Sequence, residues 1–204
     1  MSQNKNTYHH GNLAEDILKR AVQIIDEDGL EALTLRGIAR DLNVSHAAPN
    51  KHFKNKAALL TALATKGWQN LREATLLAKN ADSPKPNIRL NAMGRGFLRW
   101  ALHNPALFRT LHHPDVKRIA NSTHTNASNQ FTETIREAVA ATQANGYRSD
   151  VPLEILVLFT TTVPFGAAML LNNPLQTHAQ LPDIYNMDEE VLIEQLTNLV
   201  VPID

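Results

Sequence analysis

The stretch Leu33-Thr34-Leu35-Arg36-Gly37-Ile38-Ala39-Arg40-Asp41-Leu42-Asn43-Val44-Ser45-His46-Ala47-Ala48-Pro49-Asn50-Lys51-His52-Phe53-Lys54-Asn55-Lys56-Ala57-Ala58-Leu59 decides how the rest of the chain is read. Leu35, Ile38, Ala39 and Leu42 recur at helical spacing and share one face of a short helix. Thr34 stands just before it as a good N-cap, because its hydroxyl accepts from an amide that the helix leaves unpaired. Asn43 falls where the chain must turn sharply, and asparagine tolerates the left-handed backbone better than most residues. Ser45 is expected to cap a second short helix over 46–52, with Pro49 in its first turn, where a missing N–H costs little. Phe53 supplies an apolar anchor. Asn55 then caps a long helix in which Leu59, Leu60, Leu63, Trp68, Leu71 and Leu76 are spaced for burial. Two short helices joined by a tight turn form a helix-turn-helix, whose second helix enters a DNA major groove with its first residues near the base edges.

Upstream, Leu13, Ile17, Ala21, Ile24 and Ile25 mark a first amphipathic helix that Asp28-Gly29 stops. Downstream, Asp82-Ser83-Pro84-Lys85-Pro86 reads as a bend. Further helices are expected over 87–103, 105–111, 115–144, 152–171 and 188–200, with a loop from Asn172 to Met187. No strand pattern of useful length and no repeat interrupts this series. The expected fold is all-α: a three-helix DNA-binding domain over residues 1–56, with an N-terminal arm at 1–11, and a second helical domain over 57–204.

Composition agrees with a packed chain, since hydrophobic residues make up 43% of it. Cysteine is absent, which excludes disulfides, thiolate metal sites and cysteine nucleophiles. The polar start Met1-Ser2-Gln3-Asn4-Lys5 lacks the apolar stretch of a signal peptide, and no charge-free run of ~18 apolar residues stands out as a membrane span. A cytoplasmic protein with no membrane partner is expected. The net charge of zero hides an uneven distribution. Residues 34–56 carry five Lys or Arg against one acid, and 57–149 carry twelve against five. Residues 1–33 carry three against six, and 150–204 carry none against eight. The basic segment coincides with the helix-turn-helix, where phosphate contacts are needed.

This stretch resembles the TetR family of regulators. Thr34, Ile38, Ala39, Val44, Ser45, His52, Phe53, Lys56 and Leu59 match the family signature in type and spacing, and Tyr8-His9-His10-Gly11-Asn12-Leu13 looks like its opening. His46-Ala47-Ala48-Pro49 resembles the reading helix of one subgroup. The chain departs from the pattern at Asn43, where glycine is usual, and at Asn50, where tyrosine is usual. The resemblance implies that Thr34 and Arg36 touch the DNA backbone. Ser45, His46, Ala47, Asn50 and Lys51 face the groove, and His52 and Lys56 contact phosphates. Asn50 can bridge adenine N6 and N7, or contact phosphate directly or through water.

The same resemblance makes the remainder a ligand-binding and dimerisation domain. It implies a homodimer that binds a palindromic operator, most simply as a repressor released by a small hydrophobic effector. Ala101 to Arg109 looks like a subgroup whose sensor domain carries Trp-x-x-x-His-Gly. The corresponding Thr161-Thr162-Val163-Pro164-Phe165-Gly166 keeps only the glycine. Apolar residues run almost all round the helix from Leu153 to Leu171, and Val191, Leu192, Leu196, Leu199 and Val200 form one stripe. Such helices suit a four-helix dimer interface. Phe97, Trp100, Phe108, Phe131, Phe159, Phe165 and Met169 are candidates to line an apolar pocket, with plain core packing as the alternative for most of them. His103, His112, His113 and His124 lack metal-ligand spacing and are read as surface or loop-capping residues, so neither metal nor cofactor is expected. No G-x-S-x-G, phosphate-cradling glycine loop or H-E-x-x-H supports an enzyme. A ligand-independent DNA-binding protein on this scaffold is the other alternative, distinguished by a filled core in place of a cavity of ~300 Å³.

Overall fold

The computed structural model describes residues 12–79, 83–173 and 181–203. The expected N-terminal arm at 1–11 lies outside them. Among the described residues there are nine α-helices and no strand: α1 Leu13–Asp28, α2 Leu35–Asp41, α3 Lys56–Lys79, α4 Pro86–His103, α5 Pro105–Thr110, α6 Pro114–Ile119, α7 Ser122–Ala144, α8 Leu153–Leu171 and α9 Glu189–Val200. Short 3₁₀ turns at Leu30–Ala32, Pro49–Lys51 and Pro182–Asn186 connect some of them.

The local rules act where the residues placed them. The Gly37 amide donates to Thr34 Oγ1 at 3.0 Å, and the Ala58 amide donates to Asn55 Oδ1 at 2.8 Å, so both caps form. Gly29 ends α1 at φ 84°, and Asn43 adopts φ 52°. That left-handed backbone costs a β-branched residue more than it costs asparagine. Asn43→Val is therefore expected to lower stability by about 1–2 kcal/mol, and Asn43→Gly to leave it nearly unchanged. Urea denaturation of both variants checks this.

The expected helix over 115–144 is two helices. Asn121 accepts from the His124 amide at 2.9 Å and so starts α7 afresh, leaving α6 as a separate piece capped by His113, whose Nδ1 accepts from Asp115 N at 3.2 Å. Helix α8 also corrects an expectation, because by length and composition it is long and apolar enough to cross a membrane. Its Leu156, Val157, Thr160, Pro164 and Ala168 are instead buried within the bundle.

One continuous core joins the two ends of the molecule. Ile17, Ile25, Leu33, Ile38, Leu59, Leu60 and Leu63 are fully buried between α1, α2 and α3, and Leu71 and Leu98 continue the core between α3 and α4. Helix α3 thus serves both halves. Glu15 of α1 accepts from Lys66 Nζ of α3 at 2.7 Å, and that hydrogen bond and charge hold the carboxyl below its ordinary range. Arg109 of α5 adds a second tie, donating to the Ile25 carbonyl at the end of α1 (3.4 Å) and to the Asn172 carbonyl at the end of α8 (3.5 Å). Helix α9 lies antiparallel on α4. Asn87 donates to the Pro202 carbonyl, Asn91 to Asn198 and Val201, and Arg99 makes a two-pronged pair with Glu190 at 2.7 and 2.5 Å.

Candidate nucleic-acid interface

The surface facing outward from α2 is assembled by backbone rather than by a regular second helix. After Asn43 reverses the chain, Val44 N donates to Ala39 O at 3.0 Å and closes the turn. Residues 46–48 form a turn in which Ala48 N donates to Ser45 O at 2.9 Å, and Pro49–Lys51 follow as a 3₁₀ turn. Ser45 therefore contributes its carbonyl, and its side chain makes no cap. Pro49 is buried, and its carbonyl accepts from both His52 N (3.0 Å) and Phe53 N (2.9 Å), which turns Phe53 into the core. The two buried residues pin the segment, and what lies between them points out.

Thr34, Arg36, Ser45, His46, Ala47, Asn50, Lys51 and His52 are all exposed on this surface. Lys56, the first residue of α3, is half-buried and reaches back to Glu31, with Nζ 3.5 Å from its carbonyl and 3.8 Å from its carboxylate. That carboxylate is almost fully exposed, so the pair is readily exchanged for another anion. Asp41, the single acid of the segment, is engaged by Arg20 at 3.0 Å, and this hydrogen bond lowers its pKa. Arg36, Lys51 and Lys54 form no ion pair among the described residues, so their charge remains available on the outer face.

The seven candidate pocket residues divide. Phe97, Trp100, Phe108 and Phe131 are buried and Phe165 is half-buried, whereas Phe159 and Met169 are 39% and 53% exposed. Among the described residues the last two lie on parts of α8 left open by the other helices, with Arg148 5.8 Å over the Phe159 ring. Phe97, Phe108, Phe131 and Phe165 belong to a closed ring of edge-on and tilted contacts that Trp68 and His112 complete, with centroid separations of 4.8–6.3 Å. Trp100 stands outside it. A cavity that shares Phe97 and Phe131 with this ring lies among α4, α7, α8 and α9, bounded also by Asn91, Thr160, Pro164 and Thr197, and measures only about 30 Å³. That is room for about one water, far short of a drug-sized pocket.

The histidines also divide. His113 caps α6 as expected, and His103 lies at the surface with Nε2 3.1 Å from Glu189. His124 is buried, contrary to expectation, and neither ring nitrogen has a hydrogen-bond partner. His112 is open to solvent on one side while its ring packs edge-on against Trp68 and Phe165. Helical periodicity marked Trp68 as core. It gave no sign that this indole from α3 and the His112 imidazole from the turn after α5 would meet.

Known proteins resemble the chain over both parts. The family described as "Bacterial regulatory proteins, tetR family" matches residues 17–63, and "Tetracyclin repressor-like, C-terminal domain" matches residues 90–185. The class C tetracycline repressor protein of Escherichia coli is 44% identical over 50 residues, which cover 24% of this chain and 23% of that protein. The HTH-type transcriptional regulator BetI of Burkholderia mallei is 26% identical over 142 residues, covering 64% of this chain and 73% of its own. Against a solved protein of unknown function from Rhodococcus sp. RHA1 the TM-score is 0.76 at 26% identity, over 96% of this chain and 97% of the other. Of these, the class C tetracycline repressor and BetI are regulators of transcription, not enzymes. With the helix-turn-helix, the exposed basic segment and both family regions in place, the chain belongs to the TetR family of transcriptional regulators.

Proposed function

We propose that the chain is a ligand-responsive repressor that binds a palindromic operator as a homodimer in the cytoplasm and leaves it when a small apolar effector binds. The observation that carries the DNA-binding half is the outward face between the buried Pro49 and Phe53 and the cap of α2. In this reading, Thr34 and Arg36 hold the backbone, and Ser45, His46, Ala47, Asn50 and Lys51 face the groove. His52 and Lys56 take phosphates. Residues 1–56 then form the reading domain and 57–204 the responsive one, with α3 beginning at the boundary.

Dimerisation is supported by apolar side chains left uncovered on the last helices. Ile155, Leu158 and Met169 of α8 and Val191 and Leu199 of α9 are 44–77% exposed. Two copies of that face, related by a two-fold axis, form a four-helix interface. The two reading segments then meet successive major-groove faces about 34 Å apart.

Lys56→Ala tests the phosphate role. It is expected to weaken operator and random DNA by similar factors and to reduce the slope of log affinity against log salt by about 1. Fluorescence anisotropy across a salt series reads both, and unchanged binding removes Lys56 from the interface.

One observation favours a second reading, a ligand-independent DNA-binding protein on the same scaffold. The cavity of about 30 Å³ among α4, α7, α8 and α9 leaves the core nearly filled. A thermal-shift screen against apolar compounds separates the two: a stabiliser that also releases operator supports the sensor, and a broad screen without one supports the alternative.

A further inference from the structure

The aromatic ring and its buried polar atoms have a chemistry that simple core packing does not require. Trp68 of α3, His112 after α5, Phe165 of α8, Phe108 of α5, Phe97 of α4 and Phe131 of α7 each contact the next, and Phe131 returns to Trp68 at 5.3 Å. Five helices and the turn after α5 therefore converge on one apolar centre. Trp68 is 7% exposed and His124 9%. Trp68 Nε1 and both ring nitrogens of His124 are buried without a hydrogen-bond partner; the fourth such side-chain atom among the described residues is Asn91 Oδ1. An indole N–H only donates, and a neutral imidazole carries one donor and one acceptor. Burying such groups unpaired costs more than burying carbon, so Trp68 Nε1 in the ring and the His124 imidazole, close enough to His112 to act on it by charge, call for a bound partner.

The charges nearby fix the partner's sign. Burial holds both imidazoles below their usual pKa, and His112 feels Lys117 of α6 and His124 besides. Those are the only titratable groups acting on His112 by charge, and none acts on His124 from α3, α6 or α7. Among the described residues no carboxylate acts on either histidine. The site offers a fixed N–H, two imidazoles able to take up a proton, a nearby ammonium and an aromatic wall. His112 is the solvent-facing member of the ring and marks the entrance.

We infer that the effector is an apolar monocarboxylic acid whose tail enters the aromatic ring and whose carboxylate is held by Trp68 Nε1 and the imidazoles of His124 and His112. This rests on the ligand-responsive reading above and names its ligand class. The bound carboxylate favours charged imidazole, so the complex takes up a proton that the empty site does not hold. Affinity then rises as pH falls from 8.5 to 6.5, by up to about tenfold per unit for one proton.

Sodium decanoate and sodium 4-phenylbutanoate are suitable probes, with 1-decanol and 4-phenylbutanol as uncharged comparators. Titration calorimetry in two buffers of different ionisation enthalpy measures proton uptake, and anisotropy measures operator binding in the same solutions. At least one acid is expected to bind tenfold or more tighter than its alcohol, with proton uptake and release of operator. His124→Gln should abolish the uptake and cost at least tenfold for the acid and under twofold for the alcohol. Trp68→Phe keeps the packing and removes the N–H. It should weaken the acid with uptake intact, and it serves as the second variant should His124→Gln not fold. Equal binding of acid and alcohol, a flat pH profile, or no binding of either acid overturns the inference and leaves DNA binding untouched. Acid binding with proton uptake but no change at the operator upholds the site and overturns the repressor-release reading instead.

Discussion

Gly96→Ala is expected to lower stability by a net ~2 kcal/mol, although alanine is the better helix former by ~1 kcal/mol. A Cβ at Gly96 in α4 would stand 2.7 Å from the Ala78 Cβ and 2.8 Å from the Ala74 carbonyl oxygen of α3. Neither neighbour is the loose end of a side chain that swings away. The helices must move apart, and with them the core that holds Leu71 and Leu98. Gly96→Val should cost more still. Chemical denaturation with unchanged slope and a lowered midpoint checks the result, and a variant as stable as the parent would show that α3 and α4 do not touch at this point.

The largest functional effect is expected for the double variant Leu158→Glu with Leu199→Glu. Both side chains are strongly exposed, at 63% and 77%, on the uncovered faces of α8 and α9. Introducing four like charges into a two-fold interface leaves each of them desolvated and unpaired. Sedimentation should show a monomer with helical content intact. Operator affinity should fall at least ~100-fold, because each half-site then binds without the effective concentration supplied by its twin. A dimer with undiminished operator binding would place the interface elsewhere.

Much of the first third was legible because its determinants are local. Thr34, Asn43 and Asn55 each act on amides or dihedrals within three residues of themselves, so residue type and position were enough. The reading segment was legible in place but not in form. Pro49 lacks an amide proton and its carbonyl accepts twice from beyond, so the chain closes as a turn and a 3₁₀ turn where a regular helix was expected. Asn121 before Ser122 carried a capping signal inside the expected 115–144 helix, and it divides that span.

The responsive half was less legible, because its features depend on pairs from distant elements. Periodicity placed Phe97, Phe108, Phe131 and Phe165 inside, but Phe159 and Met169 share the same apolar helix and face out. A helix hydrophobic all round does not say which of its sides meets its own chain. The histidines fail for the same reason: His113 acts on its neighbour and was readable, whereas His124 of α7 is buried by packing that its neighbours in sequence do not reveal.

Helix α3 is one unbroken run of 24 residues, with the Asn55 cap at its start and Trp68 near its middle. That makes it a lever, with the indole about 18 Å from the end that carries the reading segment. A tilt of about 5° pivoting at Trp68 sweeps that end through about 1.5 Å, more than the whole tolerated range of a hydrogen-bond length. The Lys66–Glu15 clamp lies on the same arm, so α1 travels with it. A ring rearrangement at Trp68 that tilts α3 by this much would take the reading segment out of register with a groove.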